Sequence, residues 1–188
     1  MMTRLFRRPL VWFVAPALVL LLGAGLFWFQ PWKLVTDNEV NEPLAAVPSA
    51  VGSPEVAAAP QVSASAPPAG PAVVRQGAFV SHEHDTKGLA RVVRDADGAH
   101  SLELVGLDTS NGPDLRVWLS DQPVRAGTDG WRVFDDGNWV ELGRLKGNRG
   151  DQRYAIPAAT DLQQYQSVTI WCKRFSVSFG AAALAPAG

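Results

Sequence analysis

The chain holds one cysteine, Cys172, inside "SVTIWCKRFSVSF" at 167–179, and three histidines, His82, His84 and His100. A lone cysteine has no partner for an intramolecular disulfide, which leaves a free thiol, an intermolecular disulfide or a ligand. Alternation along a strand puts Cys172 on the face of Val168 and Ile170, with Trp171 and Thr169 on the other. Phe175, Val177 and Phe179 then continue the parity of Trp171. The apolar face therefore changes sides across Lys173 and Arg174, and a β-bulge or short break at "CKR" would reconcile the two halves. A bulge that brings Lys173 or Arg174 to the sulfur would favour the thiolate and make it reactive, or a ligand to a metal or haem. Without such a neighbour, Cys172 is a small buried hydrophobe with an inert thiol. Composition and spacing leave both readings open.

His82 and His84 in "SHEH" lie two apart, on one face if the stretch is a strand. Two imidazoles and a thiolate are the equatorial set of a blue-copper centre. Here, however, no histidine follows Cys172, and Met1 and Met2 are the only methionines to act as an axial ligand. The Cys-x-x-Cys-His needed for covalent haem is missing. A non-covalent haem on Cys172 or His84 remains compatible with the residues, although no ligand motif supports haem or metal, so the cofactor is left unassigned. His84 is the second candidate after Cys172; the alternative is a surface histidine beside Glu83 and Asp85. No nucleophile elbow, zinc-protease helix, phosphate loop or dinucleotide fingerprint is present, so the chain is at most a redox component and not a standard catalyst.

The elements that must carry these residues fall into three stretches. Arg4, Arg7 and Arg8 precede the uncharged run from Pro9 to Phe29, about 21 residues, close to the ~20 that span a bilayer as a helix. That length exceeds a signal-peptide core, although the small residues of "LGAG" keep cleavage as the alternative. Trp28 and Trp32 suit an interfacial aromatic belt, and the arginines ahead of the span place residues 1–8 in the cytoplasm and all that follows outside. With no cysteine at the end of the apolar run, lipoprotein anchoring is excluded. Residues 30–76 are rich in Pro, Ala, Val and Ser, and read as a disordered linker with a mean reach of roughly 40 Å. The remainder, 77–185, is long enough for one core.

In that remainder the pattern has period two: Leu102 and Leu104; Leu115, Val117 and Leu119; Val140 and Leu142; Tyr154 and Ile156; Val168 and Ile170. Turn clusters "DADG", "SNGPD", "AGTDG", "DDGN" and "GNRGDQ" separate them. This predicts an all-β domain, an antiparallel immunoglobulin-like sandwich of seven to nine strands. Asp161 and Tyr165 precede a strand as in a tyrosine corner, with an exposed loop tyrosine as the alternative. In "NGPDL", Asn111, Gly112 and Pro113 form a turn and Asp114 can accept backbone hydrogen bonds. Gly150, Asp151 and Gln152 of "GDQ" take the same architectural role before "RYAIP". The tripeptide "RGD" at 149–151 is too short to read as an adhesion signal. With 17 Lys and Arg against 18 Asp and Glu, no charge excess draws nucleic acid.

"GAFVSHEHDTKG", "SLELVGLDTSNGPDLRVWLS", "VELGRLKGNRGDQRYAIP" and "YQSVTIWCKRFSVSFGAAAL" follow one another in an order that resembles the DM13 (DM-thirteen) domain, the Skeletor-type electron-transfer module of membrane-anchored or secreted proteins. "NGPDL", "LKGNRGDQ" and "IWC" with Trp171 carry the resemblance. It implies a β-sandwich and a redox or electron-transfer role centred on Cys172.

Two expectations follow. One is a membrane-tethered extracytoplasmic redox module, attached through its N-terminal helix and exchanging electrons with a redox or protein partner of unidentified kind. The other is a cofactor-free binding module in which Trp118, Trp131 and Trp139 contact a protein or glycan and Cys172 only packs.

Overall fold

The computed structural model describes residues 9–47 and 70–187. Residues 1–8, the expected cytoplasmic N-terminus, and 48–69 of the expected linker lie outside them. The apolar run forms helix α1, Pro9–Phe29. It is the one helix among the described residues that is long and apolar enough to cross a membrane, and its position near the N-terminus fits an anchor or a signal sequence. Gln30 ends it in a left-handed conformation (φ 45°), its N–H bonded to Leu26 O at 2.9 Å, and Pro31 starts a 3-10 turn, Pro31–Val35.

Ten strands follow: β1 Glu39–Asn41, β2 Ala72–Ser81, β3 Lys87–Arg94, β4 His100–Asp108, β5 Leu115–Ser120, β6 Trp139–Arg144, β7 Arg149–Ile156, β8 Ser167–Cys172, β9 Val177–Ala183 and β10 Ala185–Pro186. The domain is all-β, but its strands join one curled sheet in the order β1-β7-β4-β3-β2-β9-β8-β5-β6, with β10 on β2. The immunoglobulin-like pair of separate sheets is replaced by this continuous path because β2 serves both halves. Its first part, Ala72 to Ala78, pairs with β3, and Phe79 to Ser81 pair with β9. All pairings are antiparallel except β1 on β7.

The curl folds the β3-β4-β7 half over the β9-β8-β5 half. Their inner faces meet in one core containing Val92, Leu102, Leu104 and Tyr154 from the first and Val117, Leu119, Val168, Ile170, Cys172 and Phe179 from the second. These are the period-two residues, each strand giving every other side chain to the centre. The outer face of β8 is buried as well. The 121–138 loop carries Phe134, Val124 and Val133 onto Trp171, Trp118 and Ala181. Every residue of β8 is therefore buried, which explains why its sequence is nearly continuous in apolar and small residues.

The expected linker is folded at both ends. Asn38 N donates to Asn148 Oδ1 at 2.7 Å, β1 pairs with Arg149–Asp151, and Ala45 N donates to Glu103 Oε1 at 2.7 Å. Glu103 is fully buried, where it also accepts from Arg91 Nε at 2.7 Å. Composition missed this strap because its attachment rests on a buried carboxylate and on backbone groups, neither of which shows as apolar periodicity. β2 likewise begins at Ala72, inside the stretch read as linker.

The corner before β8 is also built differently. Tyr165 packs against the core, while Arg75 Nη1 ties the bend by donating to Leu162 O and Tyr165 O, both at 2.8 Å. A guanidinium from β2 does the work expected of the phenol.

Candidate functional site

The register fixes which loops share an end of the sheet. Leu115 faces Cys172, Cys172 faces Val177, Arg116 faces Arg144, Asp108 faces Arg149 and Lys87, and Ser81 faces Gly180. The 82–86, 109–114, 145–148 and 173–176 loops thus gather at one end, and these are the loops of "SHEH", "NGPD", "KGN" and "CKRFS". The sequence motifs meet in space although they are spread over some ninety residues.

Cys172 lies at the centre of this end and is fully buried. The backbone N–H groups of Phe175, Arg174 and Asp114 lie near the sulfur and favour its thiolate, while Phe175 N donates to the Cys172 carbonyl at 3.2 Å. Burial nonetheless dominates and pushes the thiol above its ordinary pKa, with the Glu83 charge adding to the rise. Neither expected cation reaches the sulfur. Lys173 Nζ stands 3.4 Å from Glu141 Oε2, and the Arg174 side chain turns to helix α1. The expected break at "CKR" is a hairpin turn, Lys173–Ser176, with Ser176 at φ 48°. The register shift falls instead between Ile170 and Trp171, opposite the extra residue Phe179 of β9. Parity changes sides because the chain reverses, not because one strand is kinked.

His82 and His84 do not share a face, since β2 ends at Ser81 and the backbone bends between them. His82 points to the outer cluster. Its Nδ1 is 2.7 Å from Ser178 Oγ, its Nε2 3.0 Å from Arg125 O, and its ring stacks on Phe134 at 5.7 Å. A carbonyl can only accept, so Nε2 carries the proton and the Ser178 hydroxyl donates to Nδ1. Thr169 Oγ1 extends the chain to Ser178 at 2.8 Å. His84 faces the inner core, its ring centroid 3.9 Å from that of Phe179. Burial lowers the pKa of both imidazoles, opposed at His82 by the Arg125 carbonyl and at His84 by Glu83 and Asp85. His100 begins β4 at the opposite end.

The turn residues are held firmly. Asn111 Oδ1 accepts from Gly112 N at 2.8 Å, and Gly112 leaves room for Leu115 and Phe179, to which an added Cβ would come within 3.0 Å. Pro113 lines a polar cleft of about 170 Å³ with Asn111, Asp114 and Lys33. The Asp114 carboxylate pairs with Arg116, at 2.8 Å, where backbone groups were expected. Its carbonyl accepts from Lys173 N, joining "NGPD" to the Cys172 turn. Asp151 Oδ1 accepts from Gly106 N at 2.7 Å. Gln152 is fully buried and closes the 145–148 loop through Lys146 N, Gly147 N and O, and Tyr154 OH. Gly150, at φ 92°, lies where a Cβ would stand 2.1 Å from Val40 O of the strap.

The three tryptophans of the binding-surface expectation do not form one exposed face. Trp118 is buried between Trp171, at 5.2 Å, and Trp139, at 4.0 Å and near parallel. Only Trp139 is an exposed large hydrophobic of the three. Trp131 packs on the inner core, and its Nε1 is a buried donor without an acceptor among the described residues. Ser178 and Phe134 were missed by the sequence reading, which named Thr169 and Glu83 only as neighbours of Trp171 and His84. The one signal for Ser178 was its place, six residues after Cys172 across a tight turn.

The sequence signature of the electron transfer DM13 family matches residues 78–184, more than half of the chain and the whole sheet from late β2 to β9. The fold is an all-β domain with its motif loops gathered at one end, preceded by one helix apolar enough to cross a membrane. The chain belongs to the electron transfer DM13 family. No curated protein and no solved structure is significantly similar to it.

That family description implies a redox group without naming one. The donors here do not fit a metal or haem iron held within the chain. Among the described residues no three His, Cys, Asp or Glu side chains converge, the sulfur is enclosed, and the His84 ring lies against Phe179.

Proposed function

We propose that this chain is a membrane-attached, extracytoplasmic electron-transfer module whose working end is the Cys172 end of the sheet. The observation that carries the reading is that the separate motif loops of a chain in the electron transfer DM13 family converge around one enclosed sulfur.

The surroundings choose between two thiol chemistries. Disulfide exchange needs an accessible thiolate, and burial with a raised pKa denies both. One-electron exchange needs neither solvent contact nor a second sulfur. Cys172 would release one electron to a one-electron carrier on the partner and its proton to the surroundings, and would recover both on reduction.

The test is one-electron titration of the intact full-length chain in detergent micelles with soluble mediators, followed by electron paramagnetic resonance. The expected result is up to one electron per chain, absent from Cys172→Ser with an unchanged far-ultraviolet circular dichroism spectrum. A native chain that takes up no electron, or takes up the same number without Cys172, overturns the reading and returns Cys172 to a packing role.

A further inference from the structure

The end of helix α1 is bound to the Cys172 turn. The last carbonyls of any helix lack partners within the helix, and at a membrane boundary each unmet group is costly. Gln30 N satisfies Leu26 O. Arg174 Nη1 then donates to Phe27 O, at 3.2 Å, and to Trp28 O. Its guanidinium lies 5.3 Å from the centre of the Trp28 ring, and Phe175 stacks on Phe29 with centroids 5.7 Å apart. A cation at a helix C-terminus is also favoured by the helix dipole.

The connection between helix and domain is short. Thr36 O already accepts from Asn111 Nδ2 at 3.3 Å, and Asn38 is bonded to Asn148. Seven residues, 30–36, can extend to at most about 25 Å. The 3-10 turn within them shortens that reach further. Exposed aromatics Trp28, Phe29 and Trp32 surround the junction, as an interfacial belt does. Lys33 and Lys173 add positive charge on the same end, which suits anionic headgroups.

We propose that the β-domain caps its own membrane helix through Arg174 and Phe175, so that the Cys172 end of the sheet is docked on the lipid headgroup surface. This rests on the reading of α1 as a retained anchor. The domain is then clamped with its motif loops toward the bilayer, not suspended on a long tether, and an electron partner reaches Cys172 at the membrane plane.

The full-length chain in nanodiscs containing anionic lipid tests this. Lys173→Cys, on the turn, and Asp97→Cys, on the opposite end, are each labelled with a small fluorophore; the enclosed Cys172 stays unlabelled in the folded protein. Quenching by a headgroup nitroxide lipid is then compared. The proposal expects at least threefold stronger quenching at position 173, reduced at least twofold by adding Arg174→Ala. Equal quenching at both ends of an intact chain overturns the docking and leaves the anchor in place. N-terminal sequencing of chain recovered from its native membrane is the separate control: a start beyond Phe29 overturns the anchor reading and the docking together. Should Lys173→Cys fail to fold, Arg144→Cys, a 70% exposed side chain on the same end, takes its place.

Discussion

The two ends of the curled sheet are made of similar strands and differ in what joins them. At the Cys172 end, loops from distant parts of the sequence bind one another: Lys173 N to Asp114 O, Leu145 N to Leu115 O, Arg132 Nη1 to Phe175 O, Asn38 to Asn148. At the opposite end the 157–166 connection is tied to β2 by Arg75 and to the end of β5 by Gln166 N, but the tight turns close on themselves. Asp97 Oδ1 accepts from Ala99 N two residues on, Gly98 N bonds to Asp95 O, and Asp161 Oδ1 accepts from Gln163 N. Local turns of the second kind fix only the chain's reversal. Mutual loop contacts fix positions relative to a site, and they surround the only cysteine.

The costliest way to disturb this asymmetry is to release the strap. Glu103→Ala leaves Ala45 N without its acceptor and the partly buried Arg91 guanidinium with Ala45 O alone, and about 3 kcal/mol of stability should be lost in urea unfolding. Early protease cleavage within 36–47 should accompany it. A loss below about 1 kcal/mol would mean that the strap contributes little to holding the Cys172 end.

A glycine pair compares the ends directly. Gly150→Ala combines positive φ with a clash against Val40 O and should cost about 2–3 kcal/mol. Gly98→Ala, at φ 86° with open space around it, should cost about 1 kcal/mol. Equal melting-temperature shifts would erase the distinction.

Cys172→Ser places a hydroxyl in an apolar core, for a loss of about 1–2 kcal/mol. A loss beyond about 4 kcal/mol in chemical unfolding would show the sulfur to be chiefly structural.

The smallest effect is a dependence on pH. Burial holds the folded pKa of His82 and His84 below the unfolded value of about 6.5. The unfolded chain therefore binds more protons as the solution is acidified, so this contribution is complete above pH 6.5 and is lost as pH falls through the folded values. Glu42, lowered by Lys146, and Asp121, lowered by Asn138 N–H, act only further down, below about pH 4.5. Between these limits denaturation midpoints should fall with pH, and His82→Gln should flatten the slope. An unchanged slope in that variant would assign the dependence elsewhere.

Residue order alone determined the apolar helix, the all-β character and the faces of β8, with Cys172 inward and Trp171 outward. Each depends on a local period, about twenty apolar residues or every second side chain, which one stretch of chain carries whole. It also determined the family, because the motifs follow one another in a fixed order. Only the tertiary structure decided that 36–47 is a strap, that His82 and His84 part to opposite sides of the sheet, and that Arg174 belongs to the helix and not to the sulfur. Those outcomes depend on polar partners separated by about fifty to 150 positions, such as Ala45 with Glu103, His82 with Ser178 and Arg174 with Trp28. A hydrogen bond leaves no period in either of its partners, so the closing of the sheet is what brings such pairs together.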